Sequence, residues 1–168
     1  MISVRKALRD APLIESIAGL HLLALGEAWD AVRVPAEAGF VALTRLRATE
    51  DRLGPVLYDR PSQRLYFAVP TGSCGTWGDL PVRLLTSDSW LVAPSPYRVG
   101  DWFGGWCELP DDDSLTDPDA LRHALRAHSK TVASMETPPW NPLNVPDSTP
   151  TSVVSPPPLP HPSAPRRS

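Results

Sequence analysis

Hydrophobic positions near residue 120 show the 3.6-residue period of an amphipathic helix. Leu121, Ala124 and Leu125 fall on one helical face between charged residues, which predicts a helix in this part of the chain. Asp117 suits the N-cap of that helix, and Pro118 suits its first position, where no backbone N–H is needed. The pattern therefore predicts a helix that begins at this Asp-Pro pair.

Two further helices are indicated nearer the N-terminus. A helical pattern covers about residues 4–27, and Pro12 is a potential break within it. A second pattern follows Pro35, where Phe40, Leu43 and Leu46 recur at helical spacing. Both stretches are predicted as helices that turn an apolar face to the core.

Short runs typical of strands lie between these helices. They cover residues 29–35, 54–59 and 64–70, and the last two are close enough to form a β-hairpin. Two more strands are predicted in 80–96 and another in 101–110. The order of helix, strand, helix, about five strands and helix predicts an α+β fold. In that fold the helices pack on one face of a small, mainly antiparallel sheet.

The proline content rises sharply after Met135. Residues 136–168 hold 11 of the 21 prolines of the chain. Such a segment lacks the apolar content to offset chain entropy and cannot run through a helix or a central strand. The sequence therefore predicts a folded α+β domain at 1–132 and a disordered, proline-rich tail at 133–168 with polyproline II character.

One part of this tail has the form proline-x-x-proline-x-arginine. It is the segment "PSAPRR" at 162–167. Such segments dock in aromatic grooves because their extended conformation is partly preformed. A protein partner recruited through the tail is therefore one hypothesis, in which the domain serves as an anchor. A spacer is the alternative role for the tail.

Charge and cysteine content narrow the range of partners. The chain has 16 basic and 19 acidic residues, whereas strong non-specific nucleic-acid binders carry a basic stripe or a high isoelectric point. Cys74 and Cys107 match no zinc pattern and no histidine clusters near them, so no metal and no cofactor are predicted. The apolar run at 17–25 is too short to span a bilayer, which predicts a cytoplasmic protein without a membrane partner.

The segments "RLYFAVP" and "LPVRLLTSDSWLVAPSP" resemble the second half of the bifunctional DNA primase/polymerase (prim-pol) domain of the archaeo-eukaryotic primase superfamily. In that family a His-Leu-Tyr-Phe strand precedes an Asp-x-Arg strand and a Tyr-Val-Val-Ala-Pro-Pro-Ser strand. This match covers residues 64–98. The wider pattern "WDAVRVP…GPVL…LYF…TDPxALRxAL" over 29–126 is similar to short actinobacterial proteins of the prim-pol-like type.

The resemblance implies a catalytically degenerate site. Enzymes of the family hold two metal ions with an Asp-hydrophobic-Asp pair, and no such pair occurs in this sequence. Arg64 occupies the position of the family histidine, and Pro81 occupies that of the third acid. We therefore expect a binding or regulatory module rather than an enzyme. The alternative is an active nucleotidyltransferase whose carboxylates have migrated, for example to Asp59, Asp79 and Asp88.

The same resemblance implies a nucleotide or nucleic acid as partner, bound by Arg64, Arg83 and Arg98. In the family, positions around this strand face the nucleotide phosphates, and arginine suits bidentate phosphate recognition. The alternative for Arg83 is an exposed residue on the outer face of a half-buried strand, where it alternates with Val82 and Leu84.

Overall fold

The computed structural model describes residues 3–14, 19–49, 51–73, 77–96 and 103–135, with side chains up to residue 129. The predicted division at residue 132 therefore stays a prediction, because the proline-rich segment lies outside the described residues. In chain order the described elements are α1 (Val4–Asp10), β1 (Leu20–Ala24), β2 (Asp30–Pro35), α2 (Ala36–Ala48), β3 (Val56–Asp59), β4 (Arg64–Val69), β5 (Arg83–Leu85), β6 (Trp90–Pro94), β7 (Gly104–Glu108) and α3 (Pro118–Met135).

Five of these strands form one antiparallel sheet in the order β5-β2-β4-β3-β7. The other two, β1 and β6, form a separate antiparallel pair. Together with the three helices this arrangement confirms the predicted α+β class. The predicted β-hairpin is confirmed as well, since β3 and β4 pair directly across the four-residue turn at 60–63.

α2 and α3 cover one face of the five-stranded sheet. Phe67 of the central strand β4, Leu46 of α2 and Leu121 of α3 are almost completely buried in this layer. Asp117 caps α3, because its carboxylate accepts the backbone N–H of Asp119 at 2.8 Å. The helix therefore begins at Pro118, directly after its N-cap Asp117, as the sequence predicted.

The opposite face of the sheet is partly covered by α1 and the β1–β6 pair. Leu8 of α1, Leu23 of β1 and Leu91 of β6 pack against Ala31 and Ala68 of the large sheet. The two longer helices thus share one face, as predicted, while the short α1 belongs to a second layer. Among the described residues this second layer packs on Ala31 and Ala68, and the candidate site lies beside them on the same sheet face.

The prediction of a helix over about residues 4–27, with Pro12 as a potential break, is wrong for Leu20–Ala24, while residues 15–18 lie outside the described residues. The chain turns at Pro12, whose carbonyl accepts the N–H of Leu22 at 3.1 Å, and residues Leu20–Ala24 form β1 instead. Proline cannot continue the helical hydrogen bonds, and the apolar run that follows is buried by pairing with β6. A tertiary contact therefore decides the conformation of this segment.

Candidate anion-binding face

Three arginines on neighbouring strands share one face of the five-stranded sheet. Arg33 on β2 lies directly opposite Arg83 on β5. On its other side Arg33 lies opposite Tyr66 on β4, and Arg64 precedes Tyr66 by two residues. Directly paired residues, and residues two apart on one strand, point to the same side of a sheet. We call this set of Arg33, Arg64 and Arg83 the arginine face.

The arginine face is accessible from solvent. Arg83 is exposed on β5, an edge strand, while Arg33 and Arg64 are half-buried. The second layer packs on the pair of Ala31 and Ala68, two residues along the strands from Arg33 and Tyr66. The arginines therefore lie beside a covered region of the same sheet face.

Within the part of the chain that the structure describes, the side chains of Arg33 and Arg83 take part in no hydrogen bond or salt bridge. Arg64 donates to the carbonyl of the residue before it, at 3.1 Å. Asp59 lies opposite Arg64 on β3, but its carboxylate accepts the hydroxyl of Ser62 at 2.7 Å and holds the turn after β3. Asp59 and Arg64 form no direct salt bridge, although the charge of Asp59 lowers the positive potential at the Arg64 end of the face. Arg33 and Arg83 have no such acid opposite them on β2 and β5.

The pairing of Arg33 with Arg83 is electrostatically unfavourable in the free protein. Side chains directly opposite in an antiparallel pair have Cβ atoms about 4.5–5.5 Å apart, and like charges at such positions are destabilising. An anion bound between the two guanidinium groups would convert this repulsion into attraction. Phosphate fits best, because each guanidinium can donate two parallel hydrogen bonds to it.

The structure brings together two of the three arginines that the sequence predicted as phosphate ligands. Arg64 and Arg83 lie on the arginine face, whereas Arg98 lies outside the described residues. Val82 and Leu84 pack toward the helices, so the predicted alternation around Arg83 is confirmed. Arg33 was missed as a site residue, although its charge inside an apolar strand was the available signal.

The carboxylates that the enzymatic alternative requires lie in separate surroundings. Asp59 caps the turn after β3, as described above. Asp79 pairs with Arg126 of α3 at 3.0 Å, and this hydrogen bond lowers the pKa of Asp79. Asp88 has φ 64 in the turn between β5 and β6. Among the described residues, no group of three or more His, Cys, Asp or Glu side chains is placed to hold a metal ion.

Asp30 is a buried acid at the start of the arginine-bearing strand β2. It is 2% exposed, and its Oδ2 accepts the N–H of Gly72 at 3.0 Å. Its Oδ1 has no hydrogen-bond partner among the described residues. Burial raises the pKa of Asp30, and the hydrogen bond from Gly72 opposes this shift. By strand alternation Asp30 faces the helices, so it anchors the loop at Gly72 rather than joining the arginine face.

The variant Asp30→Asn is expected to lose a pH dependence of stability. The native pKa of Asp30 lies above its ordinary value of 3.8, so the native state binds this proton more tightly than the unfolded state does. The Asp30 contribution to stability therefore falls as the pH rises from 3.8 through the native pKa. The free energy of unfolding of the variant relative to wild type should rise over that interval and then level off. Urea denaturation of both proteins at about pH 3 to 8 tests this, and parallel pH profiles would contradict it.

His21 links the second layer to the end of α1. Its Nε2 lies 2.8 Å from Oγ of Ser95, and its Nδ1 lies 3.3 Å from the carbonyl oxygen of Ala11. Because a carbonyl can only accept, Nδ1 is the donor to Ala11, and in the neutral ring Nε2 accepts the serine hydroxyl. A catalytic serine beside a histidine would need backbone N–H donors nearby to stabilise an oxyanion. The N–H of Ser95 already donates to the carbonyl of Gly19, and Pro96 has no N–H, so neither residue supplies such a donor. We interpret this pair as a structural connection.

Comparison of the chain with protein-family models, with curated proteins and with solved structures gave no match. The likeness to the prim-pol domain therefore rests on the quoted sequence segments alone. None of the described helices has the length and apolar character needed to cross a membrane.

Proposed function

We propose that this chain is a phosphate-binding module that holds a nucleotide or a nucleic acid on its arginine face. In this proposal it is a catalytically degenerate relative of the prim-pol domain, with a binding or regulatory role. The observation that carries the proposal is the pair of Arg33 and Arg83, which face each other on adjacent strands without an acidic partner among the described residues.

The proposal follows from the unfavourable free energy of placing Arg33 and Arg83 opposite each other in the free protein. Cross-strand like charges are destabilising, and proteins depart from favourable local interactions mainly at functional sites. A bound phosphate supplies the missing negative charge and accepts hydrogen bonds from both guanidinium groups. Arg64 on β4 extends the surface by one strand, so a second phosphate of the same ligand has its own cation.

The overall charge of −3 is compatible with such a site, because the positive charge is concentrated locally. A surface of three arginines predicts modest affinity that decreases with added salt, since exposed charges are screened beyond about 8–10 Å at physiological ionic strength. The arginine face is thus suited to a short phosphate-bearing ligand or to a few nucleotides of a strand. A long, non-specific contact with duplex DNA is not expected from it.

The variant Arg83→Gln is expected to stabilise the free protein and to weaken ligand binding. Removing one member of the like-charge pair should raise the free energy of unfolding by about 0.2–1 kcal/mol. A nucleoside triphosphate at about a hundred times its dissociation constant should stabilise wild type by about 2.7 kcal/mol. At the same concentration it should stabilise the variant much less. Thermal unfolding with and without the triphosphate measures both effects.

The matched control is Arg9→Gln on α1, because this arginine is exposed and lies outside the five-stranded sheet that carries the arginine face. This control should leave the ligand-induced shift unchanged. Inorganic tripolyphosphate should reproduce part of the shift if phosphate recognition dominates, and magnesium should not be required. A shift that appears only with magnesium would favour the nucleotidyltransferase alternative. The absence of a shift with every phosphate compound would contradict the proposal.

A further inference from the structure

The outer face of the β1–β6 pair is apolar, and it is exposed at the end formed by Ala24 and Trp90, whereas Leu20 at the other end is buried. Leu22 pairs with Val92, and Ala24 pairs with Trp90, so these four side chains share the side that faces away from the large sheet. Trp90 is 59% exposed. An antiparallel sheet with one buried face normally presents polar side chains on the other, and exposed apolar patches of this kind mark interaction sites.

A groove of about 320 Å³ adjoins this face, between the end of α1 and the turn that follows β1. Trp29 contributes to its lining and is itself 2% exposed, whereas Trp90 stands at the exposed side. Pro12 and Leu22 add further apolar surface to the lining. The groove therefore offers one accessible aromatic ring, that of Trp90, beside a shallow apolar channel whose wall is supported by the buried Trp29.

The groove also carries negative charge. Asp10 and Glu27 both contribute to its lining, and both are exposed. Neither takes part in a salt bridge within the residues that the structure describes. An apolar ligand with a cationic end would complement this arrangement.

We propose that this groove binds a proline-rich peptide in the polyproline II conformation, with an arginine that pairs with Asp10 or Glu27. Proline-rich segments dock in aromatic-lined grooves because their extended helix is preformed and loses little entropy. The guanidinium group suits carboxylate recognition. The sequence of this chain contains a segment of this chemistry at 155–168, "SPPPLPHPSAPRRS". The proposal shares no residue with the arginine face and is independent of the proposed function.

The test uses a fluorescently labelled peptide of residues 155–168 added to the full-length chain. In that chain Pro158, Pro160, Pro162, Pro165, Arg166 and Arg167 are replaced by alanine, so that its own segment does not compete. Fluorescence anisotropy should show saturable binding. Trp90→Ala should weaken it about tenfold, since Trp90 is the accessible aromatic side chain of the groove and truncation of an aromatic anchor often costs more than about 1 kcal/mol. Leu13→Ala is the matched control, because Leu13 is 58% exposed and does not line the groove.

The charge component is tested separately with variants that leave the apolar surface intact. Glu27→Gln should weaken binding about threefold, and the loss should shrink with added salt, because exposed ion pairs are screened. A peptide whose prolines are replaced by alanine should bind at least about tenfold more weakly, because it loses the preformed conformation. Equal binding of that peptide, or equal effects of Trp90→Ala and Leu13→Ala, would overturn the proposal. Trp90-dependent dimers without peptide binding would also overturn it and assign the face to a second copy.

Discussion

Replacement of Arg33, Arg64 and Arg83 together by glutamate is expected to lower the affinity for a short oligothymidylate by about a hundredfold or more. Each phosphate contact from an arginine contributes on the order of 1 kcal/mol or more, and about 3 kcal/mol in total corresponds to that factor. Reversal of the charge adds repulsion to the lost hydrogen bonds. Fluorescence anisotropy of a labelled oligonucleotide at low salt measures the change.

The control for this experiment has the same change in net charge at other positions. Lys6, Arg9 and Arg52 are exposed basic residues outside the arginine face, and their joint replacement by glutamate should lower the affinity only a few-fold. The like charges on β2 and β5 persist in the arginine-face variant, but Arg64→Glu adds a carboxylate opposite Asp59. Urea denaturation should therefore first establish that this variant is folded under the binding conditions. Equal losses in the two triple variants would indicate a general charge effect and contradict a localised site.

The second large effect is expected from Phe67→Ala, which should lower the free energy of unfolding by about 3–5 kcal/mol. Phe67 is fully buried on the central strand β4, where it packs between the sheet and the layer of α2 and α3. Loss of the ring removes apolar contacts and leaves a cavity that close-packed neighbours cannot fill. Chemical denaturation with urea provides the measurement.

Phe40→Ala is the matched control for this prediction. Phe40 is 41% exposed on α2, and its ring makes an edge contact with Tyr58 at a centroid distance of 5.0 Å. Its replacement should cost about 0.5–1.5 kcal/mol, mainly through the lost aromatic contact. A loss for Phe67→Ala as small as that for Phe40→Ala would show that the described layer of helices is not the stabilising core.

The elements that sequence reasoning identified correctly are those with local determinants. The α3 helix has its cap and its apolar face within one continuous segment, and Asp117 hydrogen-bonds two residues along the chain. The β3–β4 hairpin joins strands that are neighbours in sequence. Such interactions are encoded within a few residues of each other, so their pattern can be recognised without the tertiary structure.

β1 was not predictable in the same way. The apolar run that begins at Leu20 fits a helix as well as a strand, and periodicity does not separate these for short runs. Its strand conformation depends on pairing with β6, where Leu23 lies opposite Leu91. The partner is nearly 70 residues away along the chain, so the deciding interaction is absent from the local sequence.

The candidate site was predictable only in part, for the same reason. The resemblance to the prim-pol domain indicates Arg64 and Arg83 as phosphate ligands. The structure places both on one face of the sheet. Arg33 became evident only from the strand register, which sets it opposite Arg83 across 50 positions of sequence. The register also separates the buried acid Asp30 from the arginines, although it lies three positions before Arg33 on the same strand.

The most direct test of the arginine face is the salt dependence of oligothymidylate binding to wild type. For single strands the slope of log K against log salt concentration is about −0.7 per neutralised phosphate, so three arginines predict a slope of about −2. The joint glutamate replacement of Arg33, Arg64 and Arg83 should abolish measurable binding or bring the slope close to zero. A wild-type slope near zero, or a slope that survives this replacement, would contradict the assignment of phosphate binding to the arginine face.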